Sequence, residues 1–171
     1  MNIVLIGYRG TGKTSVGKTL AIRLGRTLVS TDAEIVRRTG KSIPDIVAQE
    51  GWERFRDLES EVCRDLSGSD RLVIDTGGGA ILRPENARAL KHNGQVFWLT
   101  ASVSTIVARI AGDTQRPSLT GMSSVDEVQS VLRERAPKYE AAADFVVATD
   151  DRPIDSVIQD ILRCLDGISE H

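Results

Sequence analysis

Gly7-Tyr8-Arg9-Gly10-Thr11-Gly12-Lys13-Thr14 follows the apolar run Asn2-Ile3-Val4-Leu5-Ile6 and opens the segment Ser15 to Leu24. Strand, glycine-rich turn and helix in that order match the Walker A pattern, with both glycines, the lysine and the hydroxyl in place. A phosphate chain needs backbone N–H groups wrapped closely around it, which side chains would obstruct, and a helix N-terminus whose dipole favours negative charge. Gly10, Thr11, Gly12, Lys13, Thr14 and Ser15 are therefore the expected nucleotide-binding residues. Lys13 adds a mobile charge for the outer phosphates, and Thr14 sits where the motif ligates Mg²⁺.

Outward from that loop the chain alternates strand and helix. A short run Thr27-Leu28-Val29-Ser30 leads into a helix from Thr31, capped by Ser30 or Thr31 and ended by Gly40. Ser42-Ile43-Pro44-Asp45 suits the start of a short helix reaching Gln49. A separate amphipathic helix is expected over 52–67, with Trp52, Phe55, Leu58, Val62 and Leu66 inward and Arg54, Arg56, Glu59 and Glu61 on the polar face. Arg71 to Asp75 reads as a strand, and Thr76-Gly77-Gly78-Gly79 as a turn whose backbone comes very close to something. Pro84 starts a helix to about His92, Gln95 to Leu99 suits a central parallel strand, and Ser102 caps a helix through Ala111. Residues 112–121 are rich in breakers and read as a mobile surface loop. Ser124 with Glu127 forms a capping box for a long helix that Ala136-Pro137 bends or interrupts. Asp144 to Ala148 is the last strand, and the last helix runs from Pro153 to Gly167.

Five strands alternating with helices specify an α/β fold with a central five-stranded parallel sheet, whose ligands bind at the carboxyl ends of the strands. The loop at 7–14, Ser30–Asp32, Asp75–Gly79 and the residues after the fourth and fifth strands should converge on one cleft. One domain over residues 1–171 is the default for this length. A net charge of −2 gives no global footprint for nucleic acid or an anionic membrane. No apolar run approaches the ~20 residues of a membrane span and no cleavable signal pattern precedes the first strand, so a cytoplasmic protein is expected. Cys63 and Cys164 lack metal or redox spacing and read as incidental thiols.

The loop alone leaves GTPase, motor, transporter ATPase and kinase open. There is no Asn-Lys-x-Asp guanine signature, and the chain lacks the length of the large ATPases. That leaves a small-molecule kinase as the class. Such an enzyme must align an acceptor hydroxyl with the γ-phosphate, neutralise charge and exclude water.

Over nearly its whole length the chain resembles the shikimate kinase family. The motifs in order are the P-loop, Thr31-Asp32-Ala33-Glu34-Ile35, Gly40-Lys41-Ser42-Ile43, Phe55-Arg56-x-x-Glu59, Gly77-Gly78-Gly79, Arg116-Pro117 and Arg135-Ala136-Pro137-x-Tyr139. The resemblance implies a nucleoside-monophosphate-kinase-like three-layer fold and ATP- and Mg²⁺-dependent phosphorylation of the 3-hydroxyl of shikimate, a step of aromatic amino-acid biosynthesis. A monomer is expected. By the same resemblance Asp32 binds the acceptor hydroxyls, Arg56 and Arg135 the substrate carboxylate, and Gly77, Gly78 and Gly79 contact substrate. Arg116, in a lid at about 112–123, reaches ATP, and Arg152 lies on the adenine loop. Lys13, Asp32 and Arg116 are the expected catalytic residues. The chain departs from the family pattern at two positions. Ser30 stands where the family carries an aspartate associated with the metal, and Asp75 where it carries Ser or Ala; Thr14 and Asp75 are therefore the expected metal residues. The alternatives are a kinase for another carboxylated polyol such as gluconate, or a nucleotide-binding module without turnover. Against the module stand Lys13, Thr14 and Arg116.

Overall fold

The computed structural model describes residues 1–111 and 124–169. Five strands form one parallel sheet in the order β2-β3-β1-β4-β5. They are β1 (Asn2–Ile6), β2 (Thr27–Ser30), β3 (Leu72–Asp75), β4 (Gly94–Thr100) and β5 (Phe145–Ala148). The helices are α1 (Lys13–Leu24), α2 (Thr31–Thr39), α3 (Ile43–Ser67), α4 (Pro84–His92), α5 (Val103–Ile110), α6 (Ser124–Ala142) and α7 (Ile154–Ser169), and a 3₁₀ turn covers Ala80–Leu82.

β1 is buried on both faces, as a central parallel strand should be. Ile3 and Leu5 pack with Val16 and Leu20 of α1 and Val157, Ile158 and Ile161 of α7. Val4 and Ile6 face the other way, toward Phe55, Leu58 and Val62 of α3, Leu90 of α4 and Tyr139 of α6. Helices on both faces of one sheet give the three-layer arrangement, with each fully buried Ile or Leu contributing about 1.5–3 kcal/mol. A smaller cluster of Tyr8, Ile106, Val128 and Val131 joins α5 and α6 to the end of β1.

Several local expectations change. The two helices expected around residue 50 abut as α3, broken at Gly51, whose φ of 85° and ψ of 167° only glycine adopts readily. Pro137 does not interrupt α6, which runs through it. Gly167 does not end α7, which continues to Ser169. Glu59, expected on the polar face of α3, is fully buried. Ser30 caps α2 by accepting from the Ala33 amide, Ser42 caps α3 through the Asp45 amide, and Gly40 closes α2 in the left-handed conformation. The Ser124 side chain, on which the expected capping box depends, and the expected lid at 112–123 lie outside the described residues.

Candidate active site

The sheet order puts β1 between β3 and β4, so the loop leaving β1 and the turn leaving β3 emerge side by side. Their backbones are laced together. The Thr76 amide and hydroxyl both donate to the Leu5 carbonyl, at 3.2 and 2.8 Å. The Gly77 amide donates to the buried Thr31 hydroxyl at 2.9 Å, which ties the β3 turn to the start of α2. A cleft of about 610 Å³ opens above these three elements. Of the residues expected from sequence, Gly10, Gly12, Lys13, Thr14, Ser15, Asp32, Asp75 and Gly78 line it.

Gly12 caps α1, so the helix N-terminus and its dipole face the cleft. Lys13 is buried, its ammonium donating to the loop's own carbonyls at Gly7 (2.7 Å) and Tyr8 (3.0 Å). Thr11 lies beneath the loop, its hydroxyl donating to the Tyr8 carbonyl. The Thr14 hydroxyl donates to Asp75 Oδ2 at 2.7 Å. A hydroxyl and a carboxylate at the first turn of α1 are hard oxygen donors, suited to Mg²⁺ once phosphate oxygens and waters complete its octahedron. Among the described residues no group of three His, Cys, Asp or Glu forms an all-protein metal cage, as a nucleotide-borne ion would require of none.

Arg56 and Arg135, expected at the acceptor, do not themselves line this cleft but pack against the glycine turn at its edge. Arg56 donates to Glu59 Oε1 at 2.9 Å, and its guanidinium lies over the rings of Trp52 and Phe55. It presses so closely on Gly79 that a Cβ there would stand 2.3–2.5 Å from it, which identifies what the triple-glycine backbone approaches. Arg135, only 7% exposed, sits over the Tyr8 ring and beside Gly78. The Tyr139 hydroxyl donates to the Gly78 carbonyl, and burial pushes its phenol pKa up, so it remains a donor. Burial, with Glu59 and Asp32 nearby, pushes the Cys63 thiol up to about 12, which excludes it as a nucleophile.

A second cavity of about 190 Å³ adjoins the P-loop, lined by Gly12, Ser15, Arg109, Thr149, Arg152 and Ile154 among others. The residues after β5 therefore border this side cavity rather than the main cleft. The Arg152 guanidinium is engaged by the Ala148 carbonyl, Ser156 and Asp160, bracing α7. No motif in the sequence marks Arg109. It bridges the Gly10 carbonyl (3.1 Å) and Thr149 (hydroxyl 3.2 Å, carbonyl 3.1 Å), fastening the P-loop to the loop after β5. Its signal was faint, a single basic residue in the last turn of α5. Arg116 lies outside the described residues.

The chain resembles known proteins over nearly its whole length. The profile of the shikimate kinase family matches residues 9–166. The shikimate kinase of Nitratidesulfovibrio vulgaris is 45% identical over 166 residues, covering 95% of this chain and 94% of its own. That of Syntrophus aciditrophicus is also 45% identical, covering 95% and 89%. The solved structure of shikimate kinase from Acinetobacter baumannii in complex with shikimate superposes with a TM-score of 0.93 at 36% identity, covering 97% of this chain and 93% of that one. With a family profile matched along nearly its full length and relatives of this identity, the chain belongs to the shikimate kinase family.

Proposed function

We infer that the protein transfers the γ-phosphoryl group of ATP to the 3-hydroxyl of shikimate, with Mg²⁺, giving shikimate 3-phosphate and ADP. The observation that carries this reading is a cleft lined by the P-loop, Asp32 and Gly78, with Arg135 packed beside Gly78 and Arg56 against the adjoining Gly79. The acceptor is a carboxylate with three hydroxyls, and the two halves of that molecule ask for different partners.

Arg56 and Arg135 suit the carboxylate, since a guanidinium donates two parallel charge-assisted bonds. Glu59 and the rings of Trp52 and Phe55 hold Arg56 in place, so little rotamer entropy remains to be lost on binding. Asp32 accepts from the acceptor hydroxyls, and within reach of the reacting one it can take the proton as that oxygen attacks. The loop amides and the N-terminus of α1 bind the phosphates, and Lys13 moves from its carbonyl partners to the transferring group as charge builds there. Mg²⁺, when bound, neutralises charge on the outer phosphates, and Thr14 is the residue that would hold it. Arg109, Thr149 and Arg152 border the cavity in which the base would lie. On sequence grounds Arg116 adds a further cation to the transferring group. A single transferable proton and a loose transition state make this positioning and electrostatics more than covalent chemistry.

A coupled ADP-release assay across shikimate, quinate and gluconate tests the reading. Turnover should follow shikimate; a rate with shikimate no higher than with buffer, alongside turnover of another acid, would remove it.

A further inference from the structure

We propose that Asp75 is the positioning residue for the metal of the bound nucleotide, acting through Thr14, and that the end of β2 has no direct part in it. The proposal rests on the nucleotide site inferred above but not on the identity of the acceptor.

A threonine hydroxyl carries one hydrogen and two lone pairs. In Thr14 that hydrogen is donated to Asp75 Oδ2 at 2.7 Å. Its lone pairs are thereby left to face the cleft, the orientation in which a hydroxyl can ligate a hard cation. Asp75 is only 6% exposed and ends β3, whose register sets it opposite Leu5 of β1. One strand spacing, about 4.8 Å, separates β3 from β1, so the carboxylate touches Thr14 without an intervening water. Ser30 is the register partner of Asp75 on β2, a second spacing away from β1. It carries no charge, and its hydroxyl accepts from the Ala33 amide as the cap of α2.

The competing role for Asp75 is to cap the glycine turn that follows it. The first two amides of that turn already have other partners, Thr76 donating to the Leu5 carbonyl and Gly77 to the Thr31 hydroxyl. The turn is held by β1 and α2.

A carboxylate placed beside a phosphate site has a signed effect. It repels the phosphates when they arrive without a cation and favours them when a cation comes too. Asp75 should therefore make nucleotide affinity depend on metal from both directions, weakening metal-free ADP and strengthening its Mg²⁺ complex.

The test is calorimetric titration of ADP into the full chain, in excess Mg²⁺ and in EDTA, without shikimate. Asp75→Asn should shrink the ratio of the two affinities by about tenfold or more. In EDTA its ADP affinity should be equal to, or tighter than, that of the unaltered protein. Thr14→Val should shrink the ratio similarly, whereas Thr14→Ser, which keeps the hydroxyl, should preserve it. In an Asp75→Ser background, Ser30→Asp should recover part of the ratio, being one strand farther away. An Asp75→Asn protein that loses affinity equally under both conditions, or keeps the original ratio, overturns the proposal and makes Asp75 a structural residue. If that variant does not fold, an unchanged ratio in Thr14→Val overturns it equally. Failure of shikimate turnover would leave all of these titrations unaffected, so the two readings fail separately.

Discussion

Arg56 is held on three sides, by Glu59, by two aromatic rings and by the flat backbone of Gly79. Gly79→Ala would put a methyl group into the guanidinium, which would have to move off the fully buried Glu59 carboxylate that it partners. The expected outcome is a raised KM for shikimate and a lowered melting temperature, with the KM for ATP nearly unchanged; steady-state kinetics with a melting curve checks it. Arg56→Ala and Arg135→Ala each remove charge-assisted bonds of about 1.5–3 kcal/mol, so shikimate affinity should fall roughly 10- to 100-fold while ADP affinity holds. A loss of ADP affinity instead would remove the assignment of these arginines to the acceptor side. At this scale the motif glycines, Lys13, Thr14 and Asp32 were legible, because each has a local spelling that its chemistry demands. Glu59 reads by its charge as a surface residue, although it lies four residues after Phe55 and four before Cys63, on the apolar face. A guanidinium beside it helps to make a buried carboxylate tolerable there, and that is a tertiary fact.

Among the elements, α2 carries a small ion-pair network on its exposed side. Glu34 accepts from Arg37 at 2.6 Å and Arg38 at 3.0 Å, and those two hydrogen bonds, Arg37 first, hold its carboxyl at about 2 against an ordinary 4.5. Because the folded pKa is depressed, the contribution is complete above pH 4.5 and is lost as pH falls toward about 2. Glu34→Gln should therefore lower the melting temperature at neutral pH by a few degrees at most. The gap should close between pH 4.5 and 2, and shrink in high salt, since exposed pairs contribute little. A gap that widens on acidification would contradict the sign. Element boundaries were mostly legible where a cap announces them, as at Ser30, Ser42, Ser102 and Gly40. They failed at Pro137 and Gly167, where packing outweighs local preference. Val128, Val131, Tyr139 and Ala142 anchor α6 on both sides of its proline, and Val157, Ile158 and Ile161 anchor α7 before its glycine.

For the whole molecule, the alternation of strands and helices made the five-stranded parallel sheet legible. The division into a main cleft and a side cavity was not, because it depends on Arg109 reaching across to Gly10 and Thr149 from a helix with no motif of its own. We propose that residues 1–171 behave as one unit and as a monomer. Calorimetry should give a single cooperative transition and sedimentation a mass near 18.6 kDa; two resolved transitions or a stable dimer would count against this. The position of β1 has one more consequence, for how the chain comes to be folded. β1 precedes both strands that flank it, pairing with β3 at 73–75 and with β4 at 94–98. During synthesis its apolar residues do not have both edges covered until about a hundred residues have left the ribosome, an interval in which unpaired strands are prone to aggregate. The phosphate loop gains its scaffold only when that interval closes, so a nascent chain released before β4 should be unable to retain nucleotide, however complete its Walker sequence.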